Sequence, residues 1–325
     1  MSKKILITGA NGLVGQKIIQ VLNEENKAFF HERKAPPYEI LAISKGDSKL
    51  PKRWLTALHY QSLDLTNASL VKDCVLSFKP HFIIHSAAMT KVDDCEQHPE
   101  LATLTNIEAT RFLIEAAEKI NAFFLYISTD FVFAGNQNGL HSETDAPNPI
   151  NFYGKTKLEA EKIVQKSQLE WSIVRTCLVY GVTPEMSRSN IILWVKNSLE
   201  QEKHIKVVAD QWRTPTLAED LANACVSILK QKARGIYHIS GDEFITPYHL
   251  ALMTAKLYGL NDQLISPTDA SQFKEVGTRP LKTGFDISKA KQILSYQPHS
   301  LHDGLLLVLS QIKDYEKRNL TKENN

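Results

Sequence analysis

The stretch Thr8-Gly9-Ala10-Asn11-Gly12-Leu13-Val14-Gly15 decides the fold of this chain. It follows an apolar run at residues 4–8 that is typical of a buried strand, and it precedes apolar residues at helical spacing. Gly9 permits a tight turn, Gly12 lets backbone amides approach a phosphate, and Gly15 lets the helix pack close to the sheet. Unpaired N–H groups and the helix dipole favour negative charge at a helix N-terminus, so the stretch predicts a pyrophosphate-binding loop.

The first half of the chain alternates short apolar runs with helical patterns. Apolar runs occupy residues 40–43, 82–84 and 123–127, and stretches with apolar residues at helical spacing lie between them. Such alternation is typical of βαβ units. The sequence therefore predicts an α/β fold, a Rossmann-like doubly wound parallel sheet with a smaller C-terminal substrate-binding α/β lobe. We assign 1–175 and 212–240 to the dinucleotide-binding domain, 176–211 and 241–310 to the lobe, and 311–325 to a terminal helix end and frayed tail.

The composition excludes several classes of function. The 325 residues include 38 Lys and Arg against 36 Asp and Glu. The formal net charge of only +2 does not favour nucleic acid or an anionic membrane as partner. No apolar run approaches the roughly 18–20 residues of a membrane span, and the N-terminal apolar run is too short for a signal peptide. We therefore expect a cytoplasmic protein. The four cysteines form no CxxC pair and no metal-ligand cluster, so we expect no metal site.

The end of the second strand bears on the choice of nicotinamide cofactor. Enzymes that use NAD usually place an acidic residue there, which binds the ribose 2′-hydroxyl. A strand at 38–43 would instead end at Ser44 and Lys45, and Lys45 is suited to a 2′-phosphate. This register favours NADP(H), with NAD(H) as second choice, and leaves residues 27–37 as a loop. An alternative register puts the strand at 28–30 with Glu32 near its end and would favour NADH.

The third predicted strand ends at a second candidate for cofactor recognition. Asp64, with Leu65 beside it, is placed to accept a hydrogen bond from the adenine amino group. Asp64 could instead cap the following helix together with Thr66 or Asn67.

Tyr153 and Lys157 form the candidate catalytic pair. Four residues apart on a helix, they lie on one face, one turn apart. A phenol with its ordinary pKa of about 10 is a poor acid at neutral pH, and a neighbouring ammonium lowers that pKa. Thr129, after the strand at 123–127, is the candidate to bind a substrate carbonyl oxygen beside Tyr153. The three residues predict hydride transfer to a carbonyl with Tyr153 as proton donor.

Further motifs occur in a defined order along most of the chain. They are His85-Ser86-Ala87-Ala88 with Thr90, Val92 and Asp93; Asn106; Ser128-Thr129-Asp130-Phe131-Val132-Phe133; Tyr153-Gly154-Lys155-Thr156-Lys157-Leu158-Glu159; Arg175-Thr176 with Val179-Tyr180-Gly181; Asp210-Gln211 with Pro215-Thr216; and Arg279-Pro280. Together with the glycine loop, they resemble the extended short-chain dehydrogenases/reductases and, within these, the dTDP-4-dehydrorhamnose reductases.

The resemblance implies NADPH-linked reduction of a nucleotide-linked 4-keto sugar to the hydroxyl. Dimers are common in the family, so a homodimer is one expectation. The cofactor-binding residues would be Gly9, Asn11, Gly12, Leu13, Val14, Gly15, Ser44, Lys45, Asp64, Leu65, Ser86, Ala87, Ala88, Asn106, Tyr153 and Lys157. The substrate would be held by Thr90, Val92, Phe131, Leu178 and Arg279, with Arg279 on the diphosphate.

Two departures from the family pattern bear on the substrate. Phe131 stands where the family usually has Tyr, and Leu178 stands where it usually has a Trp that would stack on the sugar. The regulatory subunit of methionine adenosyltransferase also resembles this family, so a non-catalytic NADP-binding subunit is an alternative. A nucleotide-sugar epimerase is another. The related dehydratases are disfavoured, because their Asp-Glu pair is incomplete at Asp130 and Phe131.

Two further polar residues have alternative interpretations. Arg175 follows a strand and either binds a phosphate or forms a structural ion pair. We interpret His85 as a hydrogen-bonded residue at a strand end, although it could line the site.

Overall fold

The computed structural model describes residues 2–31, 35–186, 189–273 and 276–323. Seven of its strands form one parallel sheet in the order β10-β6-β5-β4-β1-β2-β3. In chain order the strands are β1 (Lys3–Thr8), β2 (Tyr38–Ser44), β3 (His59–Ser62), β4 (Phe82–His85), β5 (Phe123–Thr129), β6 (Trp171–Thr176), β7 (Val179–Tyr180), β8 (Ile205–Val208), β9 (Thr216–Leu217), β10 (Gly235–Ile239) and β11 (Ile265–Thr268).

Helices cover both faces of the sheet. The helices of the described residues are α1 (Leu13–His31), α2 (Ala68–Phe78), α3 (Val92–Gln97), α4 (Pro99–Ala102), α5 (Ala109–Glu118), α6 (Phe152–Lys166), α7 (Ile191–Glu200), α8 (Ala218–Gln231), α9 (Pro247–Tyr258), α10 (Ser288–Leu294) and α11 (Leu301–Glu323). Ile5 and Ile7 pack with α1 and α8, and Leu6 between them packs with α2, α5 and α6. Alternate side chains of β1 thus enter opposite cores, and the predicted doubly wound α/β fold is confirmed.

The strand order reverses beside β1. The chain moves from β1 to β2 and β3 on one side, and then crosses to β4 on the other. In open α/β sheets the crevice for a ligand lies at the carboxyl ends of the strands at such a reversal. The carboxyl ends of β1 and β4 therefore locate the candidate site.

A smaller set of elements follows β6. The short strands β7 and β9 pair with each other, and β8 pairs with β11. One small core gathers Tyr180, Ile192 and Leu305, and a second lies around Val195 and Ile265. The C-terminal α/β elements are thus present, while the domain boundaries assigned from the sequence stay a prediction.

One expectation for the helices was wrong. Residues 27–31 continue α1 instead of forming a loop, which rules out the alternative strand at 28–30; Glu32 lies outside the described residues. Buried Asn26 explains the connection, because its amide accepts from the backbone N–H of Tyr38 and donates to the carbonyl of Tyr38. The helix thus anchors the start of β2. At the other end, α11 runs from Leu301 to Glu323, and the fraying expected within 311–325 stays a prediction. No helix in the described ranges is long and apolar enough to cross a membrane.

Candidate functional site

The glycine loop has the geometry of a phosphate cradle. Gly9 adopts φ +70°, and a Cβ there would lie 2.8 Å from the backbone nitrogen of Ala87. A Cβ on Gly15 would overlap the carbonyl oxygen of Gly9, so the first turn of α1 lies directly against the loop. A Cβ on Gly12 would meet the Gly9 carbonyl oxygen at 3.2 Å and otherwise open space. The loop thus combines bare backbone with a helix N-terminus, which fits a pyrophosphate.

A relay of hydrogen bonds joins β1 to β4 behind this loop. The Thr8 hydroxyl lies 2.7 Å from His85 Nδ1, and His85 Nε2 lies 3.1 Å from the Thr110 hydroxyl. The Ser86 hydroxyl donates to the Thr8 carbonyl, and the Ala87 N–H donates to the Thr8 hydroxyl. Burial lowers the pKa of His85 to about 3, so the ring is neutral at physiological pH. His85 is therefore the hydrogen-bonded strand-end residue that we expected.

Asn11 shapes the far side of the crevice through its own amide. The amide nitrogen donates to the Asp47 carbonyl at 2.8 Å and to the Tyr60 hydroxyl at 3.1 Å. The amide oxygen accepts from the Lys49 N–H at 2.8 Å. Asn11 therefore fixes the loop after β2, and this role has no signal in the local sequence.

The two residues predicted to recognise the adenosine end of the cofactor pair with each other. The Lys45 ammonium lies 2.8 Å from Asp64 Oδ2, and its side chain is 81 % exposed. Asp64 also accepts from the N–H and the hydroxyl of Thr66. These bonds, that from Lys45 first, lower the pKa of Asp64 to about 2. The cap of α2 is Asn67, so Asp64 supports the turn before the helix without capping it.

The remaining cofactor candidates follow strands of the sheet or open α1. They are Leu13 and Val14 in the first turn of α1, Ser44 at the end of β2, Leu65 after β3, and Ala88 after β4. Asn106 lies farther back, in a π-helical turn at Thr103–Glu108. Its amide bonds the backbone N–H and carbonyl of Met89 and the hydroxyl of Thr156. Asn106 thus holds the loop after β4 against α6.

The predicted catalytic pair lies in the first two turns of α6. Asn151 caps the helix by accepting from the Gly154 N–H at 2.7 Å. The Lys157 ammonium is buried, donates to the Ile127 carbonyl at 2.7 Å and lies 4.1 Å from the centre of the Tyr126 ring. Burial lowers the pKa of Lys157 to about 7. Its two direct neighbours, the Ile127 carbonyl and the Tyr126 ring, are uncharged, so neither of them supplies an opposite charge in place of the lost water.

Thr129 lies opposite this pair, at the end of β5. A Cβ on Gly154 would overlap the carbonyl oxygen of Phe131, so the start of α6 lies directly against the turn after Thr129. The rings of Phe131 and Tyr153 meet edge-on with centres 6.0 Å apart. Thr129, Tyr153 and Lys157 are therefore brought together at the carboxyl end of β5. The Thr129 hydroxyl donates to Asp130 Oδ1 at 3.1 Å, so it must rotate to donate to a substrate oxygen.

Asp130 is a buried junction between the sheet and the C-terminal elements. Its Oδ2 accepts from the Thr283 hydroxyl, from the Cys177 thiol at 3.3 Å, and faces Arg213 Nε at 3.5 Å. Arg213 also donates to the carbonyls of Trp212, Pro280 and Leu281. The pair thus ties two loops to the end of β5. Sequence reasoning missed Arg213, because nothing in its local spacing marks a partner 83 residues earlier.

The predicted substrate residues lie in three places: around α3, at Leu178 and, for Phe131, against Tyr153. Arg279 pairs with Asp93 on α3, next to Val92, against which Gly277 packs. Thr90 precedes α3 at an exposed position. Leu178 is half-buried between the main core and the C-terminal core, with φ +41°, a conformation that costs a non-glycine residue energy. Arg175 forms a buried ion pair with Glu161, so its structural alternative is correct.

No group of three or more His, Cys, Asp or Glu side chains in the described residues is arranged to hold a metal ion.

The comparisons with known proteins agree with this geometry. A model of the family described as RmlD substrate binding domain matches residues 3–313. The chain is 32 % identical to methionine adenosyltransferase 2 subunit beta of Xenopus laevis over 300 residues, 90 % of this chain and 83 % of that protein. It is 29 % identical to dTDP-4-dehydrorhamnose reductase of Aggregatibacter actinomycetemcomitans over 309 residues, 91 % of this chain and 94 % of that protein.

A solved structure extends the comparison to three dimensions. It is dTDP-4-dehydrorhamnose reductase from Bacillus anthracis in complex with NADP, with a TM-score of 0.81 and 29 % identity, covering 96 % of this chain and 100 % of that one. The resemblance drawn from the motifs is thereby confirmed.

Proposed function

The chain belongs to the RmlD substrate binding domain family of extended short-chain dehydrogenases/reductases, and we propose that it reduces a nucleotide-linked 4-keto sugar with NADP(H). The observation that carries the proposal is the meeting of Tyr153, Lys157 and Thr129 at the carboxyl end of β5, beside a glycine loop shaped for pyrophosphate. A subunit that serves a partner alone needs no such arrangement of proton donor and ammonium.

Each side chain of the site has its own role in the proposed reduction. Tyr153 donates a proton to the substrate carbonyl oxygen, and the Lys157 ammonium lowers the pKa of the phenol and holds the nicotinamide ribose. Thr129 turns its hydroxyl from Asp130 to the same carbonyl oxygen and fixes it against Tyr153. Bound NADPH supplies the hydride. The glycine loop would hold the pyrophosphate, and Lys45 would hold the 2′-phosphate, with NADH accepted less well.

The surroundings of Asp130 argue against elimination chemistry. The carboxylate is buried, and its two oxygens are already bonded by Thr129, Thr283 and Cys177, with Arg213 close by. A general acid for a dehydratase needs a proton that it can deliver to the leaving hydroxyl. Asp130 instead serves as an acceptor that connects the loops, which favours simple reduction.

The test is the loss of NADPH absorbance when purified protein meets dTDP-4-dehydro-L-rhamnose made in situ, with NADH run in parallel. We expect turnover with NADPH and slower turnover with NADH. Turnover would make Leu178 a tolerated departure from the family pattern. Bound NADPH without turnover would require a different keto sugar or the second candidate function.

The second candidate is a cofactor-binding subunit that serves a partner enzyme. The 32 % identity to methionine adenosyltransferase 2 subunit beta favours it, as does Leu178 at the position where the family usually has a stacking Trp. Gel filtration of the chain with a purified methionine adenosyltransferase catalytic subunit tests it directly. Co-elution without NADPH oxidation would support this candidate, and the run without partner tests the expected homodimer.

A further inference from the structure

A fully buried ion pair lies one helical turn beyond Lys157. Glu161 on α6 is 0 % exposed, and its Oε1 accepts from the Ser128 hydroxyl at 2.5 Å and from Arg175 Nε at 3.0 Å. Its Oε2 accepts from Arg175 Nη2 at 2.7 Å. Ser128 belongs to β5 and Arg175 to β6, so one carboxylate joins α6 to both strands. Both oxygens are bonded, which fixes the position of the charge.

Helical geometry connects this carboxylate to the catalytic pair. Tyr153, Lys157 and Glu161 follow at intervals of four residues and therefore lie along one face of α6. Ser128 precedes Thr129 on β5, so the same carboxylate also fixes the strand that carries the substrate-facing hydroxyl. Glu161 thus lies on the helix face that carries Tyr153 and Lys157, and it bonds the residue next to Thr129.

We propose that Glu161 is a positioning residue, whose fixed negative charge favours the protonated form of Lys157 and whose bonds to Ser128 and Arg175 hold α6 so that Tyr153 faces Thr129. The proposal rests on the proposed function for the role of Lys157 in the reaction. The effect on the charge of Lys157 is a property of the chain itself.

Four other titratable groups lie around Lys157, and none of them takes the role that we assign to Glu161. His85 of β4 is neutral, and burial raises the pKa of the Tyr126 phenol of β5 well above its usual value. Cys95 of α3 donates its thiol hydrogen to the Met89 carbonyl, and Tyr153 is the proposed proton donor. Burial drives the pKa of Lys157 down, and Glu161 is the foremost of the groups that raise it.

Glu161→Gln should therefore lower the pKa of Lys157 further. The substitution removes the anion and leaves the Arg175 guanidinium behind, and both changes disfavour the ammonium. The experiment follows the ¹³Cε shift of Lys157 against pH in protein labelled with ¹³C-lysine and free of cofactor, with Lys157→Met to assign the signal. We expect the midpoint of Glu161→Gln to fall by about one pH unit or more.

A matched control comes from the same helix. Glu159 is 52 % exposed and bonds Lys162, so Glu159→Gln removes the same charge from the outer face of α6. We expect its midpoint to equal that of the unchanged protein. Equal midpoints for Glu161→Gln and Glu159→Gln would overturn the proposal.

Glu161→Gln leaves a buried guanidinium without its anion, which destabilises the fold. A second variant therefore provides the test if Glu161→Gln does not fold. Glu161→Gln combined with Arg175→Met removes both charges. Glu161 is the foremost of the groups that raise the pKa of Lys157, so the midpoint should lie below that of the unchanged protein and above that of Glu161→Gln. An unchanged midpoint in the double variant would also overturn the proposal.

The titration separates this proposal from the proposed function. A shifted midpoint in a protein that reduces no keto sugar would keep the role of Glu161 and reject the reductase. Reduction of the sugar with an unshifted midpoint would keep the reductase and reject the role of Glu161.

Discussion

Arg279 and Asp93 form a two-point ion pair, with Nη1 2.8 Å from Oδ1 and Nη2 2.9 Å from Oδ2. The same carboxylate accepts the backbone N–H groups of Val276 and Gly277. Arg279 also donates to the Gly277 carbonyl. The family resemblance assigned the Arg279 guanidinium to the substrate diphosphate, but in this structure it is already paired with Asp93. Asp93 thereby anchors the loop that leads to Arg279.

We expect Arg279→Ala and Asp93→Asn to weaken the binding of the nucleotide sugar to a similar degree. If Arg279 acts through its pair with Asp93, each substitution loosens the same loop and raises KM for the nucleotide sugar by a similar factor, with kcat nearly unchanged. The double variant should add little, because the two residues share one interaction. A much larger rise in KM for Arg279→Ala than for Asp93→Asn would indicate direct contact with the diphosphate.

The Asp93 pair also predicts a dependence of stability on pH. The bond from Arg279 is the main reason that the pKa of Asp93 falls to about 2. The unfolded chain, with a carboxyl pKa of about 3.9, takes up its proton first on acidification. The stabilisation is therefore complete above about pH 5 and is lost as pH falls toward 2.

The measurement is urea unfolding of the unchanged protein and of Asp93→Asn between pH 3 and pH 7. The difference in the free energy of unfolding should be constant at the upper end and shrink toward pH 3. Asp94→Asn on the same helix serves as the control. A difference that grows on acidification would contradict the assignment.

The glycines of the loop should separate folding from cofactor binding. Gly15→Ala puts a methyl group into the Gly9 carbonyl and should lower the free energy of unfolding by about 2 kcal/mol or more. The methyl group of Gly12→Ala would meet mostly open space, so the loss in the free energy of unfolding should stay below about 1 kcal/mol. Its methyl group would occupy the place of the pyrophosphate, and the Kd for NADPH, measured by fluorescence, should rise at least tenfold. Equal losses in the free energy of unfolding for Gly15→Ala and Gly12→Ala would contradict this separation of folding from cofactor binding.

Lys45 should decide between the two cofactors. Its exposed ammonium is held at the end of β2 by Asp64, where a 2′-phosphate would lie. Lys45→Glu places a second acid beside Asp64, so the Kd for NADPH should rise at least tenfold and that for NADH should fall. Lys256→Glu on α9 makes the same change of charge in the C-terminal elements and should leave both values unchanged. An unaltered preference in Lys45→Glu would place the 2′-phosphate elsewhere.

Tyr153→Phe removes the hydroxyl of the proposed proton donor and keeps the ring. Loss of a general acid costs about 10²- to 10⁴-fold in rate, so kcat should fall within that range. The Kd for NADPH should stay within about twofold, because the ring remains in place against Phe131. Tyr237→Phe on β10 controls for the loss of a buried hydroxyl. Full turnover by Tyr153→Phe would exclude the reductase mechanism.

The sequence predicted the features that depend on neighbouring residues. The glycine loop, the strand at β2 and the pair on α6 each follow from a local pattern of apolar residues and turn residues. The register of β2 came out correctly because four consecutive apolar residues, Ile40 to Ile43, form a better strand than 28–30. The helical state of 27–31 was missed, because the amide of Asn26 that anchors β2 looks like any polar residue of a helix.

The sequence could not predict pairs that close across the fold. Asp93 and Arg279 lie 186 residues apart, and neither position has a spacing that points to the other. Lys45 and Asp64 were each assigned to the cofactor, yet they pair with each other because β2 and β3 are neighbours. Arg213 was missed for the same reason. Such partners follow from the order of the strands, which a single sequence leaves open.

The π-helical turn at Thr103–Glu108 has an evolutionary consequence. A π turn closes five residues back instead of four, so it accommodates one residue more than an α turn, as an insertion would leave behind. Each residue turns a helix by about 100°, so deleting one between Asn106 and α5 would turn Asn106 away from its present direction. Its amide would leave Met89 and Thr156 together. This turn therefore constrains the number of residues in the segment as well as the identity of Asn106.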